Sequence, residues 1–418
     1  MKKTILFLCL IICSTLNAQI HLNPDLHKLV VQHKYGELHL KNKTNQEKDK
    51  YFFDAVYYSS VNQPKTSQQY LEKLIKEDSL FLQKIEYWKL ASENNIKLFN
   101  YNQAYLASKH ILENFKDKLS PEELSDEQNN LNIWFTLKDV PNQEISSFKT
   151  VEIVAQKDLA NLTTIEVTAK NTQKDFVFDT GAGLNCITIS LAKEMNFTIL
   201  PDNNVTARSF TGVNNKVLLA IAPKLQIGSL TVTNAVFLVY PDEAFTFANG
   251  KYKIHGIIGF PIAKDLGTIT FEKNQLTFAK NQQDNNSEKN LYFEYLRPIL
   301  LLKYKGEQLP FNLDTGAQKS QFSKPLFDLF KEEISAKAKK ITTTTSSAGA
   351  QEKTQNLYLL KNQKFWLTNK KIKLPEMLID FNNIDVYGPY NYGNIGQDIL
   401  SQYKKVIISF DHNYLKLE

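Results

Sequence analysis

Between residues 20 and 140 the apolar positions recur three and four apart, the period of an amphipathic helix. Tyr51, Ala55, Tyr58 and Val61 share one face, and Pro64 ends that run. Tyr70, Leu71, Leu74 and Ile75 form a second face. Phe81, Ile85, Trp88, Leu90 and Ala91 form a third. Ala104, Tyr105, Ala107, Ile111, Leu112 and Phe115 follow, and Pro121 opens another helix that reaches Trp134. The pattern predicts an α-helical domain over 19–140.

Near residue 140 the period changes from helical to strand-like, with Pro141 and Asn142 at the boundary. Short apolar or alternating runs appear at 151–155, 164–169, 176–178 and 236–240. Asn171 to Lys174 reads as a hairpin turn between two of them. Residues 281–290, NQQDNNSEKN, carry no apolar anchor and read as a linker. Strands resume at Leu291. The expected organisation is therefore a helical domain, a β lobe over 145–280, the linker 281–290 and a second β lobe over 291–418.

The two β segments repeat one another. FVFDTGA at 176–182 is matched by FNLDTGA at 311–317. Gly-x-Ile-Gly closes at Gly259, 80 residues after Asp179, and at Gly396, 82 residues after Asp314. A glycine among small or hydroxylic residues lies between, Gly212 in one half and Gly349 in the other. Each half ends in a hairpin-like stretch, 268–279 and 406–417. Four landmarks in the same order argue for a duplicated lobe.

Charge and composition narrow the picture. The chain has 418 residues, a formal charge of +6 and 22% charged residues. Lys and Glu are interspersed without a basic block, so no nucleic-acid partner is expected. Residues 1–18 read as a signal peptide: Lys2 and Lys3, a short apolar run, then Leu16-Asn17-Ala18. Bulky Ile12 argues against a lipid anchor on Cys13. No later stretch has transmembrane length. Export to the periplasm or the medium is the expectation, with outer-membrane association left open. Beyond the leader only Cys186 remains, so no internal disulfide is expected, and a buried filler fits it better than a redox thiol. The Asn-x-Thr triplets at Asn42 and Asn204 then read as chance rather than glycosylation sites.

Two acids presented alike suggest a shared site. Carboxyls about 3 Å apart cannot both ionise cheaply, so they hold one proton between them. The ionised one can take a proton from water and the protonated one can donate to a carbonyl oxygen. Gly181 and Gly316 permit close backbone approach. Thr180 and Thr315 would hydrogen-bond across the join.

Asp-Thr-Gly-Ala followed by the Gly-x-Ile-Gly landmark resembles the retropepsin-like aspartic proteases. Two such segments in one chain resemble the bilobal layout of pepsins. The resemblance spans roughly 145–418. It implies an all-β bilobal fold preceded by the helical domain, with Asp179 and Asp314 as catalytic dyad. It also implies Thr180, Gly181, Thr315 and Gly316 as dyad support, and flaps around Phe210, Gly212 and Gly349 over a polypeptide substrate. Ala182 and Ala317 stand where pepsins carry a hydroxyl, so the dyad is expected to titrate higher than theirs. Water is the nucleophile and neither cofactor nor metal is needed. Lone His255 has no HExxH-type company, and Asp398 reads as structural because the first half has no acid there.

The implied activity is an aspartic endopeptidase. The alternative is a catalytically silent peptide-binding protein of the same fold, its helical domain recruiting a partner. The helix spacing is loosely similar to tetratricopeptide hairpins, at most two units, although a small bundle packed on the β segments is the simpler expectation. An inhibitory pro-region is a third role for it, though no basic segment suited to the dyad is evident.

Overall fold

The computed structural model describes residues 22–209, 212, 214–282, 287–381 and 389–418. The expected leader, residues 1–18, and Phe210 therefore lie outside the described residues, as does part of the 281–290 stretch.

Seven α-helices come first: α1 Pro24–Val31, α2 Tyr35–Asn42, α3 Lys50–Ser60, α4 Pro64–Glu77, α5 Ile85–Lys97, α6 Tyr101–Asn114 and α7 Pro121–Leu137. Local chemistry sets their ends. The Asn23 side chain accepts from the Asp25 and Leu26 amides at the start of α1. Ser120 and Glu123 form a reciprocal capping box at α7, with Pro121 in its first turn. The third apolar face needs correction. Phe81 sits in a separate 3₁₀ turn, Ser79–Gln83, capped by Asp78, so Phe81 and Ile85 do not share a helix. Among the described residues no helix is long and apolar enough to cross a membrane.

The helices share their cores with the β segments. Leu38, Phe53, Leu74 and Phe81 pack in one cluster with Tyr292 and Leu301. Ile96, Ala104, Trp134 and Leu137 pack in another with Leu162, Val177, Leu219 and Ile257. A buried charge pins the join. Lys97 Nζ donates to Ser59 O at 3.0 Å and to Glu93 Oε1 at 2.5 Å, while Glu93 Oε1 accepts from Tyr295 N at 3.0 Å. With its ammonium paired and bonded in this way, burial of Lys97 is tolerable.

The β part contains a 13-stranded sheet and an eight-stranded sheet. Thr163–Ala169 and Thr172–Phe178 form a hairpin with Ala169 opposite Thr172. The turn is thus Lys170-Asn171, with Lys170 at φ 55°, rather than 171–174. Gln173 and Asp175 are polar because they occupy the exposed face of the strand, not because the chain turns there.

The same pairing occurs twice. Gly256–Ile258 runs parallel to Thr172–Phe178, with Ile258 opposite Phe178, and antiparallel to Asn185–Thr188. Gly393–Ile395 runs parallel to Glu307–Leu313, with Leu313 opposite Ile395, and antiparallel to Gln321–Phe322. The closing hairpins then join. Thr268–Glu272 pairs with Val406–Ser409, so the end of the chain extends the sheet of the first β segment. The Thr268 and Ser409 hydroxyls bond across this seam at 2.8 Å.

Candidate active site

Asp179 and Asp314 follow directly from the buried strand ends Phe176–Phe178 and Phe311–Leu313. Each backbone is fixed by the Gly-x-Ile-Gly strand of its own segment. Asp179 N donates to Ile258 O at 2.9 Å, and Asp314 N donates to Ile395 O at 3.0 Å. The landmarks 80 residues apart in sequence are therefore adjacent strands.

The two Asp-Thr-Gly turns interlock. Thr180 Oγ1 donates to Leu313 O at 2.7 Å and accepts from Thr315 N at 3.2 Å. Thr315 Oγ1 donates to Phe178 O at 2.8 Å and accepts from Thr180 N at 3.0 Å. Both threonines are wholly buried. Four bonds across the join thus fix the separation of the two acids.

The glycines are required by space. A Cβ on Gly181 would lie 2.6 Å from Asp314 Cγ, and one on Gly316 would lie 2.2 Å from Asp179 Cγ. Each turn therefore abuts the other segment's carboxyl. Gly259 and Gly396 meet the same constraint behind the site: a Cβ there would be 2.6 Å from Ala182 O and 2.7 Å from Ala317 O. Each of those carbonyls accepts the next amide, Phe260 N and Gln397 N, at 2.8 Å.

The carboxyls bond each other as well as their own turns. Gly181 N donates to Asp179 Oδ1 at 2.7 Å and Gly316 N to Asp314 Oδ1 at 2.9 Å. Burial, then the Asp314 charge and the bond to Asp314, push the Asp179 carboxyl well above the usual carboxylate range. Burial also raises Asp314, against opposing bonds from Asn394, Asp179 and the turn amides. Such a pair titrates as a unit.

Asn394 was not anticipated. Its Nδ2 donates to Asp314 Oδ2 at 2.5 Å. The signal was present in the sequence: GNIG differs from GIIG at this position, where the first segment has Ile257. The reasoning from Ala182 and Ala317 thus missed a donor arriving from the neighbouring strand.

A second layer braces these strands. Asn185 Oδ1 accepts from Gly259 N at 2.8 Å. Six residues after Asp314, Ser320 takes the corresponding place, its Oγ accepting from Gly396 N at 3.0 Å and donating to Asp398 Oδ1 at 2.6 Å. Asp398 therefore bonds to Ser320, away from the pair. Gln397 Nε2 donates to Thr315 O at 2.8 Å, and Lys157 Nζ donates to Gln397 Oε1 at 3.1 Å.

The two glycines expected in flaps sit differently. Gly212, at φ 84°, is an exposed turn between Thr206–Arg208 and Asn214–Lys216. Gly349, at φ 76°, lies between the long strands Lys339–Ser347 and Ala350–Leu367. It reaches the first β segment, where its amide donates to Ala244 O at 3.1 Å. A Cβ on Gly349 would be 2.7 Å from the Tyr240 ring and 3.1 Å from Asn215 Nδ2. The two hairpins therefore meet.

Cys186 is a buried free thiol, pushed up by burial and then by the nearby Asp179. His255 is exposed. Among the described residues no three His, Cys, Asp or Glu side chains gather into a metal-sized cluster.

The chain matches no curated protein sequence. Residues 165–262, which carry Asp179, the Gly212 turn and the first Gly-x-Ile-Gly strand, match the family model described as Aspartyl protease, and this part of the chain is similar to that family.

Proposed function

We propose that the chain is an aspartic endopeptidase whose two β segments act as two retropepsin-like lobes, with Asp179 and Asp314 as the catalytic dyad. The observation that carries this is the reciprocal Thr180–Thr315 grip, which presents one carboxyl from each segment against the glycine of the other.

In this mechanism a water lies between the carboxyls. The ionised carboxyl takes its proton as the water oxygen bonds to the substrate carbonyl carbon. The carbonyl oxygen receives the proton of the other carboxyl, giving a neutral gem-diol. In the second half, the newly protonated carboxyl gives its proton to the amide nitrogen and the C–N bond breaks. One diol hydroxyl returns its proton to the other carboxyl. Acid and amine leave, and the dyad is restored without a covalent intermediate. Asp179 and Asp314 need no metal for these steps. An extended peptide would lie under the 212 and 349 hairpins, bonded as an added strand. Gly349 lies against the 212 hairpin, where a Cβ on it would be 3.1 Å from Asn215 Nδ2, and in this reading the two hairpins part to admit substrate. The leader-like residues 1–18 support action outside the cytoplasm.

The test is incubation of unfolded proteins with purified residues 19–418 from pH 3 to 8 in H₂¹⁸O, followed by mass spectrometry. New internal termini carrying solvent oxygen support the endopeptidase. Retained peptides without new termini at any pH would establish the silent binder instead.

A further inference from the structure

The immediate N–H donors of the two carboxyls differ at one side chain. Asp179 and Asp314 are each supported by the amides of their own turn, Gly181 and Ala182 for one and Gly316 and Ala317 for the other, with the glycine amide on Oδ1. Among the described residues, Asp314 alone receives a side-chain N–H donor, Asn394 Nδ2, on its Oδ2. The strand register places it there: Asn394 stands opposite Asn312, two residues before Asp314. At the matching position beside Asp179 the chain has Ile257, opposite Val177, which offers no donor. Asn394 is buried, so its bond to the carboxyl faces little competition from water.

An amide NH₂ can only donate, and an ionised carboxylate can only accept. With both its oxygens holding N–H donors, Asp314 is the better place for the negative charge, because such bonds favour the charged form. Asp179, with turn amides alone as N–H donors and a buried setting, is the better place for the proton, and a protonated Asp179 can in turn donate to Asp314. The Cys186 thiol also lies near Asp179; it is pushed up by burial and stays neutral.

We propose that Asn394 is a positioning residue that breaks the symmetry of the dyad, keeping the charge on Asp314 and the shared proton on Asp179. Asp314 is then the base that takes the proton of the attacking water, and Asp179 is the acid that protonates the substrate carbonyl. The catalytic roles rest on the endopeptidase proposal; the placement of the proton does not.

The experiment uses the full mature chain with ¹³Cγ-labelled aspartate, titrated by NMR from pH 3 to 8. The Asp179→Asn and Asp314→Asn variants identify the two resonances by their disappearance. The expected result is that Asp314 ionises first and Asp179 at clearly higher pH. Asn394→Ile, which copies the first segment, should raise the Asp314 transition by about one pH unit, the size expected for a lost charge-assisted bond. It should move the acid limb of the kcat/KM profile by the same amount. Asn394→Ser, which restores a donor, should recover part of the shift. If Asp179 ionises first in the parent, with the resonances assigned from folded Asp179→Asn and Asp314→Asn, the proposal is wrong. An unmoved Asp314 transition in folded Asn394→Ile would also overturn it. A parent that shows the predicted order but cuts no peptide would refute the endopeptidase proposal and leave the proton placement standing.

Discussion

Thr180→Val removes one hydroxyl and keeps the shape of the side chain. That hydroxyl bonds two groups of the opposite turn, donating to Leu313 O at 2.7 Å and accepting from Thr315 N at 3.2 Å. Thr180 and Leu313 are fully buried, so water cannot replace either bond. A buried backbone group left without a partner costs about 1–3 kcal/mol, so two cost roughly 2–6 kcal/mol. This is a large share of a typical total stability of about 5–15 kcal/mol. For a cooperative unit of about 400 residues each kcal/mol lowers melting by about 1 °C, so melting should fall by about 2–7 °C. The carboxyls would also lose part of what fixes their spacing. A displacement near 1 Å lowers kcat by about 100-fold. Thermal unfolding at the pH of best activity, with peptide cleavage on the same samples, measures both effects. Thr180→Ser keeps the hydroxyl and should stay close to the parent in each. A valine variant that melts within about 1 °C of the parent and cleaves at the parental rate would refute the grip as the device that holds the site.

Three further outcomes follow. Because the folded-state value of Asp179 is raised, the native state binds that proton more tightly than the unfolded chain, and the associated stability is present below about pH 4 and is lost as pH rises through the folded value. Asp179→Asn should therefore melt progressively higher than the parent as pH rises from 4 to 8; a gap independent of pH would contradict this. Deleting residues 19–140 should give insoluble or unfolded protein, since it exposes Tyr292, Leu301, Leu162 and Leu219 and leaves Glu93's partner Tyr295 N bare; a soluble, active truncation would support a detachable recruiting or inhibitory role. Asn129 on α7 bonds both the amide and the carbonyl of Thr206 at the stem of the 212 hairpin, at 2.8 and 2.9 Å, so Asn129→Ala should raise KM roughly three- to tenfold with little change in melting, read from steady-state peptide cleavage.

Much of the site could be read from the sequence because its parts are strand ends joined to short turns. Phe176–Phe178 and Phe311–Leu313 are apolar runs that end in an acid, and in the structure those acids face one another. Gly256–Gly259 and Gly393–Gly396 are spaced in step with them because each pairs with the strand that precedes its acid. What could not be read arises between elements. GNIG against GIIG marks Asn394 as different, but not as a donor to Asp314, because parallel pairing decides which residue lies beside the acid. The α7 contacts with the stretch 203–208 depend on how helices dock on a sheet, which helical period does not encode. The 170–171 turn was misplaced because an exposed strand face and a turn draw on the same polar residues. The joining of 268–272 to 406–409 depends on how the two segments associate, and two separate hairpin patterns do not specify that.

The central claim is that one carboxyl from each β segment is needed for one reaction. Cleavage of an unfolded protein mixture by Asp179→Asn and by Asp314→Asn, each shown to be folded by circular dichroism, tests it most directly. The account predicts an active parent and the loss of cleavage in both variants at every pH from 3 to 8. Parental cleavage by either folded variant would show that the pair is not the catalytic unit.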